Sequence, residues 1–504
     1  MMINNVKSFI VKHDNLFVGL LSIILVSGIA FRVLIVHGDE IWNFNNVYKM
    51  YNGLTIYQDS NVIVTPLFYI IGNLIFNIVG ANFLVFRIYN VAIFLTLFLS
   101  MYILFKNLGI TKGRAAIYIS AMIMIHQSMI PSGANYNSLA MIFVIVSIII
   151  EILRIKALNI KPEKIYKYDI YQGILFFLIF MSKQNIIVFY LIGIVISRFI
   201  LNKDKMKEIK SIFISGITSV FLLIPVVMAL INQGVFMDFI NYAVLGIKEF
   251  GTSNIGHEII SLLEGISINL TVIIIVIVAI LKSKLMNLDK DSNHIIKMLF
   301  CVAIALLGVA FPIFNKYHIL LSSIVMKILL IFVLDIILIR NIFDEKTGKM
   351  VKYIIMTMLL AYMAYCGIQY VSILKEVKIK DIGYEYPYFG GIIETETQEE
   401  IDVITTYIKE NDKRVVILSY QAALYMVPLK QSNGAMDLPF LGNMGKDGED
   451  GMIEQISLLT NTQILISQEE KFWQESEKIV QYVKDNLRLI GEINKFDIYE
   501  TIDD

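Results

Sequence analysis

The sequence predicts an α-helical polytopic membrane protein: about eleven transmembrane helices, one further interfacial helix, and a small extracytoplasmic α/β domain at the C-terminal end. Three observations lead there. Of the 504 residues, 57% are hydrophobic and only 17% charged, with a mean hydropathy of +0.68, a balance foreign to a soluble domain of this length. Apolar windows long enough to cross a bilayer recur along the first three quarters of the chain. The loops between them segregate their lysines and arginines to one side.

The first window, 16–36, lacks a small-x-small cleavage site and reads as a retained anchor. It delivers the chain to Gly38-Asp39-Glu40, two adjacent acids at a membrane mouth. Residues 37–82 then form an outer loop. Within it Pro66–Val79 is apolar but only about fourteen residues long, and Gly72-Asn73 and Asn77 interrupt it, so it reads as an interfacial or re-entrant helix. Further windows lie near 83–105, 115–131, 136–153, 170–182, 185–201, 211–231, 263–281, 296–314, 317–339 and 353–374.

If Pro66–Val79 does not cross, the clusters around Lys106/Arg114, Arg154/Lys167, Lys203/Lys210, Lys282/Lys297 and Arg340/Lys352 all share the side of the N-terminus. The positive-inside rule then makes the N-terminus cytoplasmic and the tail extracytoplasmic; counting that helix as a span would put every basic loop outside. Residues 1–374 form the membrane domain. Residues 375–504 form the soluble one, with helical periodicity at Thr397–Glu410 and Phe472–Leu487, a helix beginning at Gln421–Met426, and strands at Val415–Leu418, Gln463–Ser467 and within Leu489–Tyr499. It carries no phosphate-cradling glycine loop and no dinucleotide fingerprint. The abundance of Ile, Lys and Asn points to a low-GC bacterial genome. A net charge of +0 gives no pull toward nucleic acid. Cys301 and Cys366 sit inside apolar runs and read as core residues, not as a disulfide or a metal site.

The sided map brings Asp39/Glu40, Arg87, the tight Ser182-Lys183-Gln184 turn and Asn315-Lys316-Tyr317-His318 to the same outer level. Each has a plain structural reading: a helix-capping acid pair, a snorkelling arginine, a turn lysine, a histidine satisfied by Asn315 or Tyr317. His257-Glu258 lacks the second histidine of a zinc site, His126 reads as structural, and Tyr136-Asn137 reads as a helix cap. Together, however, a carboxylate and several cations at one membrane face make the set needed for glycosyl transfer from a lipid phosphate: a base for the acceptor proton and positive charge for the departing phosphate.

The order Gly38-Asp39-Glu40, Thr65-Pro66-Leu67-Phe68-Tyr69, Arg87, Met181-Ser182-Lys183-Gln184, then Phe311-Pro312 before Lys316-Tyr317-His318, resembles the protein O-mannosyltransferase and aminoarabinose transferase superfamily, over about residues 15–340. The resemblance implies a GT-C-like fold, Asp39 as catalytic carboxylate, Glu40 as its companion and Arg87 as a contact to the lipid phosphate. Where the family often has a basic residue before its proline, this chain has Val64-Thr65. Where aminoarabinose transferases carry an arginine after the acids, it has Trp42 and Asn43, and Lys183 is the candidate to supply that charge.

The expectation is therefore an inverting, polyprenyl-phosphate-sugar-dependent glycosyltransferase of the plasma membrane, acting on a cell-envelope glycan, lipid or protein. Arg87, Lys183 and His318 are placed on the donor phosphate; Trp42, Asn43, Tyr57 and Tyr317 are candidate substrate contacts. No cofactor or metal is called for, since a guanidinium and an ammonium can hold the leaving phosphate. The alternative is a non-enzymatic flippase of lipid-linked sugars. A carrier favours repeat symmetry or polar residues along both halves of its path, whereas the candidates here gather at one face.

Overall fold

A computed structural model describes residues 38–126, 135–160, 165–246, 289–310, 316–339, 368, 382–386, 391–469 and 475–502. The windows expected at 16–36, 263–281 and 353–374 lie essentially outside the described residues, as do Phe311-Pro312 and His257-Glu258. The chain divides into two compact units, one of Met1–Gly28, Val91–Ile224 and Gly256–Glu376, the other of Ile29–Asn90, Pro225–Ile255 and Val377–Asp504.

Among the described residues, eleven helices of seven residues or more precede the tail: α1 Gly38–Tyr51, α2 Leu67–Val79, α3 Phe83–Asn107, α4 Lys112–His126, α5 Tyr136–Ile160, α6 Ile165–Ser182, α7 Gln184–Leu201, α8 Lys205–Asn232, α9 Lys290–Leu306, α10 Lys316–Ser322 and α11 Ile324–Ile339. Five described helices, α3, α5, α7, α8 and α9 with its 3-10 extension to Ala310, are long and apolar enough to cross a membrane. α2 is not: it has 13 residues, starts after Pro66 and ends where Gly80 takes φ of 107°. It buries Phe68, Tyr69, Gly72 and Phe76 yet exposes Ile70, Leu74 and Ile78, so both of its faces are apolar.

In the first unit, α7 and α9 pack closely because Gly193 presents no side chain; a Cβ there would stand 2.7 Å from the Val302 Cα. Across α5 to α8 runs a buried cluster of charge. Arg154 reaches Asp169 (3.0 Å), Glu208 (2.6 Å) and Glu151 (3.3 Å), while Arg198 holds Glu151 through 2.6 Å and 3.1 Å contacts. Ser211 accepts from both guanidiniums and donates to Asp169. Such ions survive away from water only when paired and hydrogen-bonded. Arg154, grouped on sequence grounds with the cations of a solvated loop, is in fact fully buried, because α5 runs on past it to Ile160.

In the second unit the tail forms a hairpin, β1 Ile382–Tyr386 with β2 Gly391–Glu394, then α12 Thr395–Glu410, β3 Arg414–Leu418, α13 Ala422–Met426, α14 Gly448–Ser457, β4 Thr462–Ser467, α15 Glu477–Asn486, β5 Arg488–Ile493 and β6 Phe496–Glu500. The sheet order is β3-β4-β6-β5, with β3 and β4 parallel and the other pairs antiparallel. Asn494, at φ of 50°, turns β5 into β6. Val416, Ile464 and Ile466 on the strands meet Met452, Ile456, Ile479 and Val483 on the helices in one apolar core. α15 begins later than the periodicity from Phe472 predicts, because the Ser476 hydroxyl accepts from the Ile479 N–H and caps it.

Candidate active site

The acid pair stands in the first turn of α1. Three asparagines, Asn43, Asn45 and Asn46, make this a poor helix former by propensity. Packing holds it instead: residues 40–47 are all buried, and Gly72 of α2 lets it close, since a Cβ there would meet the Val47 side chain at 2.8 Å. Acids in the first turn and Lys49 in the last also suit the helix dipole.

The two acids part company. Asp39 is exposed, whereas Glu40 is 1% exposed and faces Arg87, itself 2% exposed. The pair is forked, Nε to Oε1 at 3.1 Å and Nη2 to Oε2 at 3.3 Å, with the guanidinium carbon 4.6 Å from the Phe83 ring centre. Asn43 donates to the Asp39 carbonyl (2.7 Å) and accepts from the Tyr69 hydroxyl (2.9 Å), and Trp42 meets the Tyr69 ring edge-on at 6.4 Å. The Thr-Pro-Leu-Phe-Tyr run therefore braces the turn that carries Asp39. Tyr57, at φ of 72°, donates to the Val64 carbonyl (2.8 Å) and packs on Phe239; burial pushes its phenol well above the usual range, so it stays protonated.

In the other unit, Lys183 sits between α6 and α7 as the N-cap residue of α7. Its ammonium lies 4.7 Å from the centre of the Tyr136 ring at the start of α5, and it interacts electrostatically with His318 of α10. Tyr136, read from the sequence as part of a cap, thus also serves as the aromatic seat of that lysine. Tyr317 lies beside His318 in α10. Asp39, Glu40, Trp42, Asn43, Tyr57 and Arg87 thus gather in one unit, and Lys183 and His318 in the other.

Two features escaped the sequence. The Glu40–Arg87 fork joins residues 47 apart, with no periodicity to announce it. Lys49 is buried in an ion pair with Asp437, and its only signal was a lone cation inside a stretch otherwise read as outer loop.

No family model and no curated protein matches the chain. Over 96% of its length and 97% of the other's, the structure matches the crystal structure of ArnT from Cupriavidus metallidurans bound to undecaprenyl phosphate, with a TM-score of 0.59 at 8% sequence identity. At that identity the likeness is one of fold, and with its apolar helices it makes this chain an integral membrane protein of GT-C-like architecture.

Proposed function

We propose that the protein is an inverting glycosyltransferase that moves a sugar from a polyprenyl-phosphate donor to a cell-envelope acceptor at the outer face of the plasma membrane. The observation that carries this reading is the exposure of Asp39 alone among residues 39–47, on a helix whose next residue is locked to Arg87. A carboxylate presented in this way is available to an incoming acceptor, while Glu40 fixes the turn. The fold shared with a protein crystallised with undecaprenyl phosphate supports the lipid donor.

In the reaction, the Asp39 carboxylate takes the proton of the acceptor hydroxyl or amine. The freed lone pair attacks the anomeric carbon, the bond from that carbon to the phosphate oxygen breaks, and polyprenyl phosphate leaves with the configuration inverted. Arg87, Lys183 and His318 are the candidates to hold the phosphate, and Trp42, Asn43, Tyr57 and Tyr317 to line the substrate path. The N-terminus is cytoplasmic; residues 37–82 and 375–504 lie outside.

The test is incubation of purified protein with a panel of polyprenyl-phosphate sugars, following release of lipid phosphate. Asp39→Asn lowers turnover about 10²–10⁴-fold, the usual weight of a general base, and leaves donor binding intact. Unchanged turnover in that variant overturns the base assignment.

A further inference from the structure

α1 presents two faces. At 100° per residue, Glu40, Asn43 and Val47 fall on one side and meet Arg87, Tyr69 and Gly72. Trp42, Asn45, Asn46 and Lys49 fall within one arc on the other. This second face meets the C-terminal domain through directed contacts. The Asp437 carboxylate, 5% exposed, pairs with the Lys49 ammonium and accepts from Asn45 Nδ2 at 2.5 Å. Lys49 also donates to the carbonyls of Gly434 (3.1 Å) and Asp59 (2.7 Å). Asn61 donates to the Leu438 carbonyl at 2.7 Å, tying the outer loop to the same segment.

The segment 433–438 is itself anchored to the sheet. Asn433 Nδ2 donates to the Ile417 carbonyl of β3 (2.7 Å), its Oδ1 accepts from the Ile417 N–H (3.1 Å), and its own N–H donates to Asp437 (3.1 Å). An unbroken chain of hydrogen bonds therefore runs from the edge strand β3 of the soluble domain through Asn433 and Asp437 to Lys49 and Asn45, on the helix whose first turn carries Asp39.

We propose that Asp437 and Lys49 are positioning residues for the transfer reaction, and that the C-terminal domain acts as a bracket setting where α1 places the Asp39 carboxylate. This rests on the role given to Asp39 above. A helix is stiff enough to carry the constraint over the ten residues from Lys49 to Asp39, about 15 Å at 1.5 Å per residue. A displacement of about 1 Å at a reacting group costs about 100-fold in rate. Asp437 never touches substrate in this scheme; its effect passes through the helix.

The test uses the full-length protein in nanodiscs with Asp437→Asn, Lys49→Met and the charge-keeping Lys49→Arg. Turnover and donor KM are measured at a temperature where each variant is fully folded by its own melting curve. In parallel, a nitroxide at position 39 (Asp39→Cys, with Cys301 and Cys366 replaced by serine) reports the mobility of the first turn with and without Asp437→Asn. The expected result is a fall of about 100-fold in kcat for Asp437→Asn and Lys49→Met, donor KM within about two-fold, partial recovery in Lys49→Arg, and a more mobile nitroxide. A lower melting temperature with unchanged kcat overturns the proposal and leaves the ion pair as packing alone. Unchanged nitroxide mobility overturns it as well. A more mobile nitroxide in a protein that transfers no sugar from any donor sustains the bracket and sinks the reading of Asp39.

Discussion

Removing one member of the Glu40–Arg87 fork is the sharpest perturbation the structure offers. Both side chains are essentially sealed from water, and the contact is two-pronged at 3.1 and 3.3 Å. Arg87→Met leaves a carboxylate buried without this partner, and Glu40→Leu does the same to the guanidinium; breaking a buried pair from one side costs about 3–5 kcal/mol. Against a total stability of about 5–15 kcal/mol for a typical domain, either change alone is severe. Replacing both at once removes the desolvation penalty together with the attraction, so Glu40→Leu/Arg87→Met is expected to be no worse than the milder single variant. A double-mutant cycle, read by reversible unfolding in mixed micelles, then returns a coupling of about 3 kcal/mol or more. A double variant whose loss equals the sum of the two singles would refute the reasoning, because the two groups would then be paying separate penalties to separate partners. The same protein, folded but lacking Arg87, also asks whether donor use needs the guanidinium beyond its grip on Glu40.

Arg87→Gln and Lys183→Gln are each expected to weaken donor use more than acceptor use, as the loss of a cation for the leaving phosphate should; an unchanged donor KM in either variant removes that residue from the donor site. Gly193→Ala drives a methyl to 2.7 Å from the Val302 Cα and 3.1 Å from the Cys301 carbonyl, and is expected to cost about 1–3 kcal/mol, whereas Gly216→Ala on α8, with nothing within 4 Å, is neutral or stabilising. Equal melting temperatures for the two would contradict the close approach of α7 and α9. Single cysteines at exposed Asn52, Gln58 and Leu458 label from outside intact cells while one at Lys205 does not; protection of the first three overturns the sidedness.

Much of this architecture was written locally. α2 was readable because a proline opens it and apolar residues fill a run too short to span. The strands β3 and β4 were readable because Val415–Leu418 and Ile464–Ile466 are apolar runs bounded by polar residues, as strands covered on both sides must be. The hairpin β1–β2 and the helix α14 were missed: the two strands are only five and four residues long, too short to establish an alternation, and two glycines, Gly448 and Gly451, stand in the first four residues of α14. At the site, Asp39 was legible as an acid following an apolar run. The fates of Glu40 and Lys49 were not, since their partners stand 47 and 388 residues away and a pairing across such distances imprints no period on the chain. Arg154 was misplaced for a related reason. Beside Lys156 it looks like the edge of a basic loop, and only Asp169, Arg198 and Glu208 on three other helices reveal it as interior.

That interior cluster bears on how the protein is made. A charge carried into the membrane by a helix is costly at insertion, most of all at the helix centre, where it reaches about 2.5–3.5 kcal/mol, and α5 to α8 leave the ribosome one after another. α5 arrives carrying both signs a turn apart, Glu151 and Arg154. Asp169 on α6 then finds Arg154 already present, Arg198 on α7 finds Glu151, and Glu208 on α8 finds Arg154 again. Each newcomer's opposite charge has been synthesised before it, so no helix in the series must wait in lipid for a partner still to come. Read in this order, the cluster is a schedule for biogenesis, and it is α5, carrying Glu151 and Arg154 together, that lets each later helix arrive to a charge of opposite sign.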